Sequence, residues 1–161
     1  MARIRPAAAP DTEAIARIYN QGIDERSSTF ETEPRSAADV ELWLASAERL
    51  PVLVADDGGE LLGWSRILAY SDRSAYSGVG EVSVYVDAAA RGRGLGRALL
   101  EALEQRAREL EYWKLVGKLF TDNAASAALV ERCGWRRVGL HLKHGRLDGE
   151  WRDVQLVERV L

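Results

Sequence analysis

Val84-Tyr85-Val86-Asp87-Ala88-Ala89-Ala90-Arg91-Gly92-Arg93-Gly94-Leu95-Gly96-Arg97-Ala98-Leu99-Leu100 decides how the rest of the chain is read. It opens as a β-like apolar run, passes through alternating Arg and Gly, and closes on a helix-like pattern. Three glycines and three arginines fall within positions 91–97. Without a Cβ, glycine lets the backbone turn sharply and lets a ligand come close to the amides. The first N–H groups of the helix that follows have no internal partners, and the helix dipole favours negative charge there. A strand-to-helix junction of this kind is a phosphate site. Arg91, Arg93 and Arg97 add positive charge around it. The plainer reading is a tight turn whose arginines are solvated.

The glycine spacing narrows the phosphate. Gly92-Arg93-Gly94-Leu95-Gly96-Arg97 fails the dinucleotide pattern G-x-G-x-x-G, because Arg97 stands in place of the third Gly. No Lys-Ser or Lys-Thr follows, so the ATP-binding P-loop fails too. The stretch also lies after several strands, whereas a dinucleotide fold opens with its glycine loop. What remains is Arg91-x-x-Gly94-x-Gly96.

Working outward, Asp11 to about Glu25 carries Ile15, Ile18, Tyr19, Gly22 and Ile23 on one helical stripe. Ser36 with Asp39 resembles a helix start, and Val40, Trp43, Leu44 and Ala47 continue it until Pro51. Val52–Ala55 and Leu61–Leu68 form a hairpin around Asp57-Gly58-Gly59. Tyr70–Gly80 reads as a polar loop. In Glu81–Val86, the side chains of Val82, Val84 and Val86 face one way and those of Glu81, Ser83 and Tyr85 the other. Gly94–Leu110 is the strongest helix, with Leu95, Leu99, Ala102, Leu103, Ala107 and Leu110 inward and the charges of Glu101–Glu111 solvated. Lys114–Leu119 is strand-like, Asn123–Arg132 is a helix stopped at Gly134, and two final strands, Trp135–Leu142 and Val154–Val160, flank a Gly145–Gly149 loop. Strands and helices mix within a single α/β domain spanning 1–161.

Bulk properties exclude several classes. Hydrophobic residues make up 47% and charged residues 29%, the balance of a soluble globular protein. A net charge of −3 argues against a general nucleic-acid binder. One cysteine, Cys133, permits no internal disulfide and suits a reducing compartment. With His141 and His144 the only histidines, no metal centre is expected. Neither a signal peptide nor a membrane-spanning run is apparent, so a cytoplasmic protein without membrane partners is expected.

Further stretches carry a resemblance. Asn123-Ala124-Ala125-Ser126, followed by Cys133-Gly134-Trp135, is similar to the Asn-x-x-Ser helix of the GNAT N-acetyltransferases, and Arg91-x-x-Gly94-x-Gly96 to their pyrophosphate loop. Phe30-Glu31-Thr32-Glu33-Pro34, Arg73-x-x-Tyr76, Glu81-x-x-Val84-Tyr85-Val86 and Gly145-x-x-x-Gly149-x-Trp151-x-Asp153-Val154 resemble the phosphinothricin and methionine sulfoximine N-acetyltransferase subfamily. The resemblance implies a mixed α/β GNAT fold, a mostly antiparallel twisted sheet of about six to seven strands flanked by about four helices. It implies acetyl-CoA as co-substrate, a small amino-acid-like amine as acceptor, no metal, and a homodimer.

The resemblance also distributes roles. Glu81 is the candidate base, direct or through a water; its plainer reading is a solvated carboxylate at a strand start. Backbone groups of Val84, Tyr85 and Val86 face the pantetheine and thioester. Arg91, Gly92, Arg93, Gly94, Leu95, Gly96 and Arg97 hold the pyrophosphate, mainly through amides. Asn123 and Ser126 contact CoA, and Asn123 alternatively just caps its helix. Phe30, Arg73, Tyr76, Glu81, Val82 and Ser83 line the amine side; Arg73 and Tyr76 either grip a carboxylate or phosphinate or belong to an ordinary loop, and Phe30 either walls the pocket or anchors its loop. Cys133 is read as buried filler. Three positions depart from the pattern: Val130 replaces a Tyr or His that serves as general acid, Val79 replaces a Thr, and Leu147 replaces a Lys. Two other readings stay open: acetylation of a protein N-terminus or lysine, and an acyl-CoA-binding module without turnover.

Overall fold

The computed structural model describes residues 1–161. Seven strands form one sheet: β1 (Arg3–Pro6), β2 (Val52–Asp57), β3 (Glu60–Ala69), β4 (Val79–Val86), β5 (Lys114–Phe120), β6 (Arg136–Leu147) and β7 (Glu150–Val160). Their order across the sheet is β1-β2-β3-β4-β5-β7-β6. Every neighbouring pair is antiparallel except β4 and β5, which run parallel. The helices are α1 (Thr12–Glu25), α2 (Ala37–Leu44), α3 (Leu95–Glu109) and α4 (Ala124–Arg132). None is long and apolar enough to cross a membrane.

Register assigns the two faces. Paired residues of neighbouring strands share a face, so Val54, Trp64 and Tyr85 point together and pack with Tyr19, Ile15 and Ile23 of α1. Leu53, Ile67, Val82 and Val84 point the other way, onto Leu100, Leu103 and Ala107 of α3. α1 follows its apolar stripe: Ile15, Ile18, Tyr19, Gly22 and Ile23 are all buried. α2 opens with a reciprocal cap, in which Asp39 N donates to Ser36 Oγ at 3.3 Å and Ser36 N to the Asp39 carboxylate at 2.7 Å.

Several sequence expectations need correcting. Met1–Pro10, where the sequence suggests no element, contains β1, a four-residue strand too short for a periodic signal, held by Arg5 to the carboxylates of Asp11 and Asp56. Val79 and Gly80 belong to β4, not to the loop before it. Gly145 lies inside β6, and the turn shrinks to Asp148-Gly149, both at positive φ, because Leu147 pairs with Glu150. Ala102 on α3 and Leu110 just past its end are half-buried, while Leu100 and Glu104 are buried. Helix α4 and strand β7 flank α3 and widen its buried arc. Glu104 is therefore not solvated; it is 5% exposed and accepts a 2.8 Å hydrogen bond from Trp135 Nε1. Cys133 is half-buried at the C-terminal end of α4, and burial pushes its thiol pKa up.

Candidate active site

The sheet comes apart in its middle. β4 pairs with β5 only through Val79–Lys114, Gly80–Leu115 and Glu81–Val116. Beyond Glu81 the strands diverge, β5 staying with β7 as far as Phe120 and β4 staying with β3 as far as Val86. The backbone of Val82–Val86 has no strand partner on its β5 side. Peptide groups there can only be satisfied by water or a ligand.

Two hollows meet at this split. One is a cavity of about 430 Å³ on the α1 side of the sheet, walled by Tyr19, Phe30, Trp43, Trp64, Tyr85 and Phe120 and carrying Glu81, Ser83, Arg66, Arg35, Lys118 and His144. The other is a slot of about 80 Å³ between β4, β5 and α4, lined by Val82–Tyr85, Leu100, Gly117–Leu119, Asn123, Ser126, Leu129 and Val130. They share Ser28, Val82, Ser83, Tyr85, Lys118 and Leu119. A molecule threaded through the slot presents its tip to the cavity.

The Arg-Gly stretch follows β4. Asp87 closes the strand and accepts from Ala89 N at 3.0 Å, starting a single tight turn at Ala88–Ala90. Arg17 and this amide hold the Asp87 carboxyl below its usual range. Gly94 is the residue before the first turn of α3 and sits at φ +77°. That left-handed conformation is strained for any residue bearing a Cβ. The space where a Cβ would stand at Gly92 or Gly94 is open. An anion can therefore approach the exposed amides of the first turn. The side chains contribute less: Arg91 is bound to Glu25 at 2.6 and 3.0 Å, and Arg97 to Glu101 at 2.7 Å. Arg93 touches only the Ala89 carbonyl, at 3.4 Å, and remains available to a second phosphate oxygen. Glycines, amides and a free guanidinium suit a pyrophosphate, and the slot suits the chain attached to it.

The structure brings together most positions picked from the sequence. Glu81 stands at the split, a quarter exposed, with its Oε1 2.9 Å from Lys118 Nζ. Ser83 and Tyr85 follow it on the same face, and Val82 borders both hollows. Tyr85 stacks on Trp64 at 4.9 Å between centroids, and burial pushes its phenol pKa up. Phe30 stands edge-on to Phe120 at 4.7 Å and covers Gly145, where a Cβ would come within 2.7 Å of the ring. Asn123 Oδ1 accepts from Ser126 N at 3.1 Å, so it caps α4 while lining the slot. Leu95 and Gly96 open α3, with Gly96 facing Leu129 of α4.

Arg73 and Tyr76 are different. Both are exposed on the β3–β4 loop, and neither lines the cavity. Tyr76 instead stands edge-on to Tyr70 at 5.7 Å. Of the three departures, Val130 is buried against Leu100 and Leu103 beside the slot, Leu147 packs with Phe120 and Val154, and Val79 pairs with Lys114.

Four charged or titratable cavity residues escaped the sequence reading, Arg35 in the loop before α2 and three on strands. Arg66 lies in a strand whose alternation marks only which face it takes. Lys118 and His144 sit on β5 and β6, which reach Glu81 only through the sheet. His144 also stacks on His141 at 4.4 Å, both exposed on β6.

Comparison with known proteins agrees with this geometry. Residues 16–135 match the model of the acetyltransferase (GNAT) family. The chain is 33% identical to the L-methionine sulfoximine/L-methionine sulfone acetyltransferase of Pseudomonas aeruginosa, over 98% of this chain and 93% of that protein. The structure of a GNAT superfamily phosphinothricin acetyltransferase from Sinorhizobium meliloti, solved with acetyl-CoA, superposes with a TM-score of 0.93 at 31% identity, over 99% of this chain and 88% of that one. The ribosomal-protein-alanine N-acetyltransferase of Brucella melitensis superposes with a TM-score of 0.94 at 30% identity, over 99% of each chain. A split between parallel strands, a glycine cradle at a helix start and a matching family model over most of the length lead to one conclusion: the chain belongs to the GNAT acetyltransferase family.

Proposed function

We propose that this enzyme moves the acetyl group of acetyl-CoA onto the amine of a small amino-acid-like substrate, of the kind named for its phosphinothricin and methionine sulfoximine relatives. The observation that carries this reading is the meeting of slot and cavity at Val82, Ser83 and Lys118, with Glu81 on the cavity side of that junction and paired to Lys118. The amides at the start of α3, with Arg93, hold the pyrophosphate. Asn123 and Ser126 border the pantetheine, and the unpartnered backbone of Val84–Val86 orients it and the thioester carbonyl. A hydrogen bond from one of these amides polarises that carbonyl.

The amine enters from the cavity side. An ammonium has no lone pair, so Glu81 accepts its proton, directly or through a water. Arg35 and Lys118 are paired with carboxylates, which leaves Arg66 as the cavity cation that disfavours a second positive charge and so favours the free amine. The nitrogen attacks the carbonyl carbon, a C–N bond forms, and the C–S bond then breaks. The proton still carried by the attacking nitrogen balances the charge on the departing sulfur. This accounts for catalysis without an acidic side chain at Val130.

A second reading rests on the Brucella melitensis neighbour: acetylation of a protein N-terminus. The aromatic walls of the cavity favour a small acceptor. Acetyl-CoA-dependent thiol release, corrected for Cys133, tests the two. Phosphinothricin, methionine sulfone, common amino acids and an alanine-starting peptide form the panel. Turnover of a free amino acid supports the proposal, and turnover of the peptide alone overturns it.

The single cysteine suits a cytoplasmic enzyme. A homodimer is supported by the apolar outer face of the terminal hairpin, where Val138, Leu140, Leu142 and Trp151 are exposed. Light scattering on the wild type and on Leu140→Glu/Leu142→Glu is expected to show a dimer converted to a monomer.

A further inference from the structure

We infer that Arg66 is the anion-binding residue of the amine pocket, so that the acceptor carries a free carboxylate or comparable oxyanion beside its amine. This deepens the proposed function and rests on it. It also moves the anion grip from the β3–β4 loop, where the sequence resemblance put it, to the floor of the cavity.

The charges of the cavity wall support it. Arg35 is paired with Glu31 at 2.9 Å, and Lys118 with Glu81 at 2.9 Å. Arg66 is left without a carboxylate. Its Nε is fully buried and makes no hydrogen bond, and its guanidinium carbon lies 3.6 Å from the centre of the Trp43 ring. A second buried donor in the same wall, Trp64 Nε1, also lacks an acceptor. The Trp43 face offsets part of the cost of burying this cation, but the buried Nε still lacks an acceptor and no anion completes it, which is unfavourable until a ligand does. The desolvation is large enough to pull the Arg66 pKa down to about 10. An oxyanion delivered by the substrate removes this penalty, and the guanidinium fork suits two parallel hydrogen bonds to it.

Register then sets the geometry. Arg66 pairs with Ser83, and Leu68 with Glu81, so Arg66 and Glu81 are diagonal neighbours on one face. Diagonal positions in an antiparallel pair lie about 7–8 Å apart, within reach of long side chains. A molecule with its acid on Arg66 therefore has an amine within reach of Glu81 and of the split. A polyamine has nothing to offer Arg66, and neither does a peptide N-terminus without a nearby acid.

The test compares acids with their amides. Wild-type enzyme and Arg66→Gln, with Arg66→Lys as the conservative variant, are assayed with L-methionine sulfone and its carboxamide. Glutamate, its α-amide and glutamine separate an α-carboxylate from a side-chain oxyanion. The wild type is expected to prefer the acid by roughly 100-fold or more in kcat/KM. Arg66→Gln is expected to lose that preference through KM, with partial recovery in Arg66→Lys. Acids and amides turned over equally by the wild type would overturn the inference and leave the acetyltransferase reading intact; that comparison needs no variant to fold. If no amine is acetylated, tryptophan fluorescence is titrated with L-methionine sulfone in the presence of CoA. A saturable change in the wild type, absent from Arg66→Gln and from the carboxamide, then supports the anion site by itself. No response overturns it.

Discussion

The Lys118 ammonium lies 2.9 Å from the Glu81 carboxylate, across the point where β4 and β5 part. Val116, two residues earlier on β5, is the last residue paired with β4 and faces Glu81 across the strands. Lys118 therefore spans the widening gap and holds the carboxylate at its mouth. Glu81→Gln is expected to lower kcat by about 10²–10⁴-fold, the usual contribution of a positioned base, with acetyl-CoA affinity unchanged. Lys118→Met is expected to lower kcat less and to leave the melting temperature nearly unchanged, because a half-exposed ion pair contributes about 0–1 kcal/mol. Steady-state thiol release with isothermal titration of acetyl-CoA separates the two effects. Full activity in Glu81→Gln would remove Glu81 from the mechanism.

Gly94 supplies a left-handed turn directly before α3. Gly94→Ala meets no steric neighbour, so its effect is conformational. It is expected to destabilise the fold by roughly 1–2 kcal/mol. Any relief of that strain rotates the first amides of α3 away from the proposed pyrophosphate site, so the KM for acetyl-CoA is expected to rise about tenfold. Thermal melts and acetyl-CoA saturation curves check the two effects separately.

Glu104 and Trp135 share a buried hydrogen bond, and neither lines the cavity or the slot. Glu104 also lies 3.5 Å from Arg159 and 3.7 Å from Arg108. Glu104→Leu orphans the indole N–H and strips the arginines of their acid, an expected loss of about 2–4 kcal/mol. Glu104→Gln keeps an acceptor and is expected to lose about half as much. Chemical denaturation measures both, and kcat of the folded variants is expected to match the wild type.

Asp11 gives the fold an acid-sensitive clasp. Arg5 donates to its carboxylate at 2.8 and 2.9 Å and the Ala8 amide at 2.7 Å, and together they hold its pKa below the usual range. A carboxylate with a depressed folded-state pKa stabilises the protein above its unfolded value, near 3.9. That stabilisation is lost as pH falls from there through the folded value. Asp11→Asn is thus expected to melt below the wild type at neutral pH, the difference shrinking as pH drops below about 4. Melting curves between neutral pH and strong acid check the sign; a gap that widens in acid would contradict it.

Features governed by near neighbours in the chain were legible before the structure. The stripe of α1, the Ser36–Asp39 cap, the Gly58-Gly59 turn and the Arg-Gly junction into α3 depend on spacings of a few residues and on what glycine alone can do with φ. Resemblance added Glu81, Ser83, Tyr85, Phe30 and Asn123, and the fold gathers these around the split. The same reading expected Arg73 and Tyr76 at the cavity, and the loop holds both outside it.

By itself, then, the sequence determined the helices, the Gly58-Gly59 turn and the glycine loop that opens α3, because each is a local property of backbone and periodicity. Tertiary structure alone decided where β4 leaves β5, which acid is buried on α3, and which cavity arginine is left without a partner. Those outcomes depend on register between strands distant in sequence. Arg66 is left bare by its surroundings: Ser83 opposite it on β4, Trp43 of α2 over its guanidinium, and a glutamate already held by Lys118.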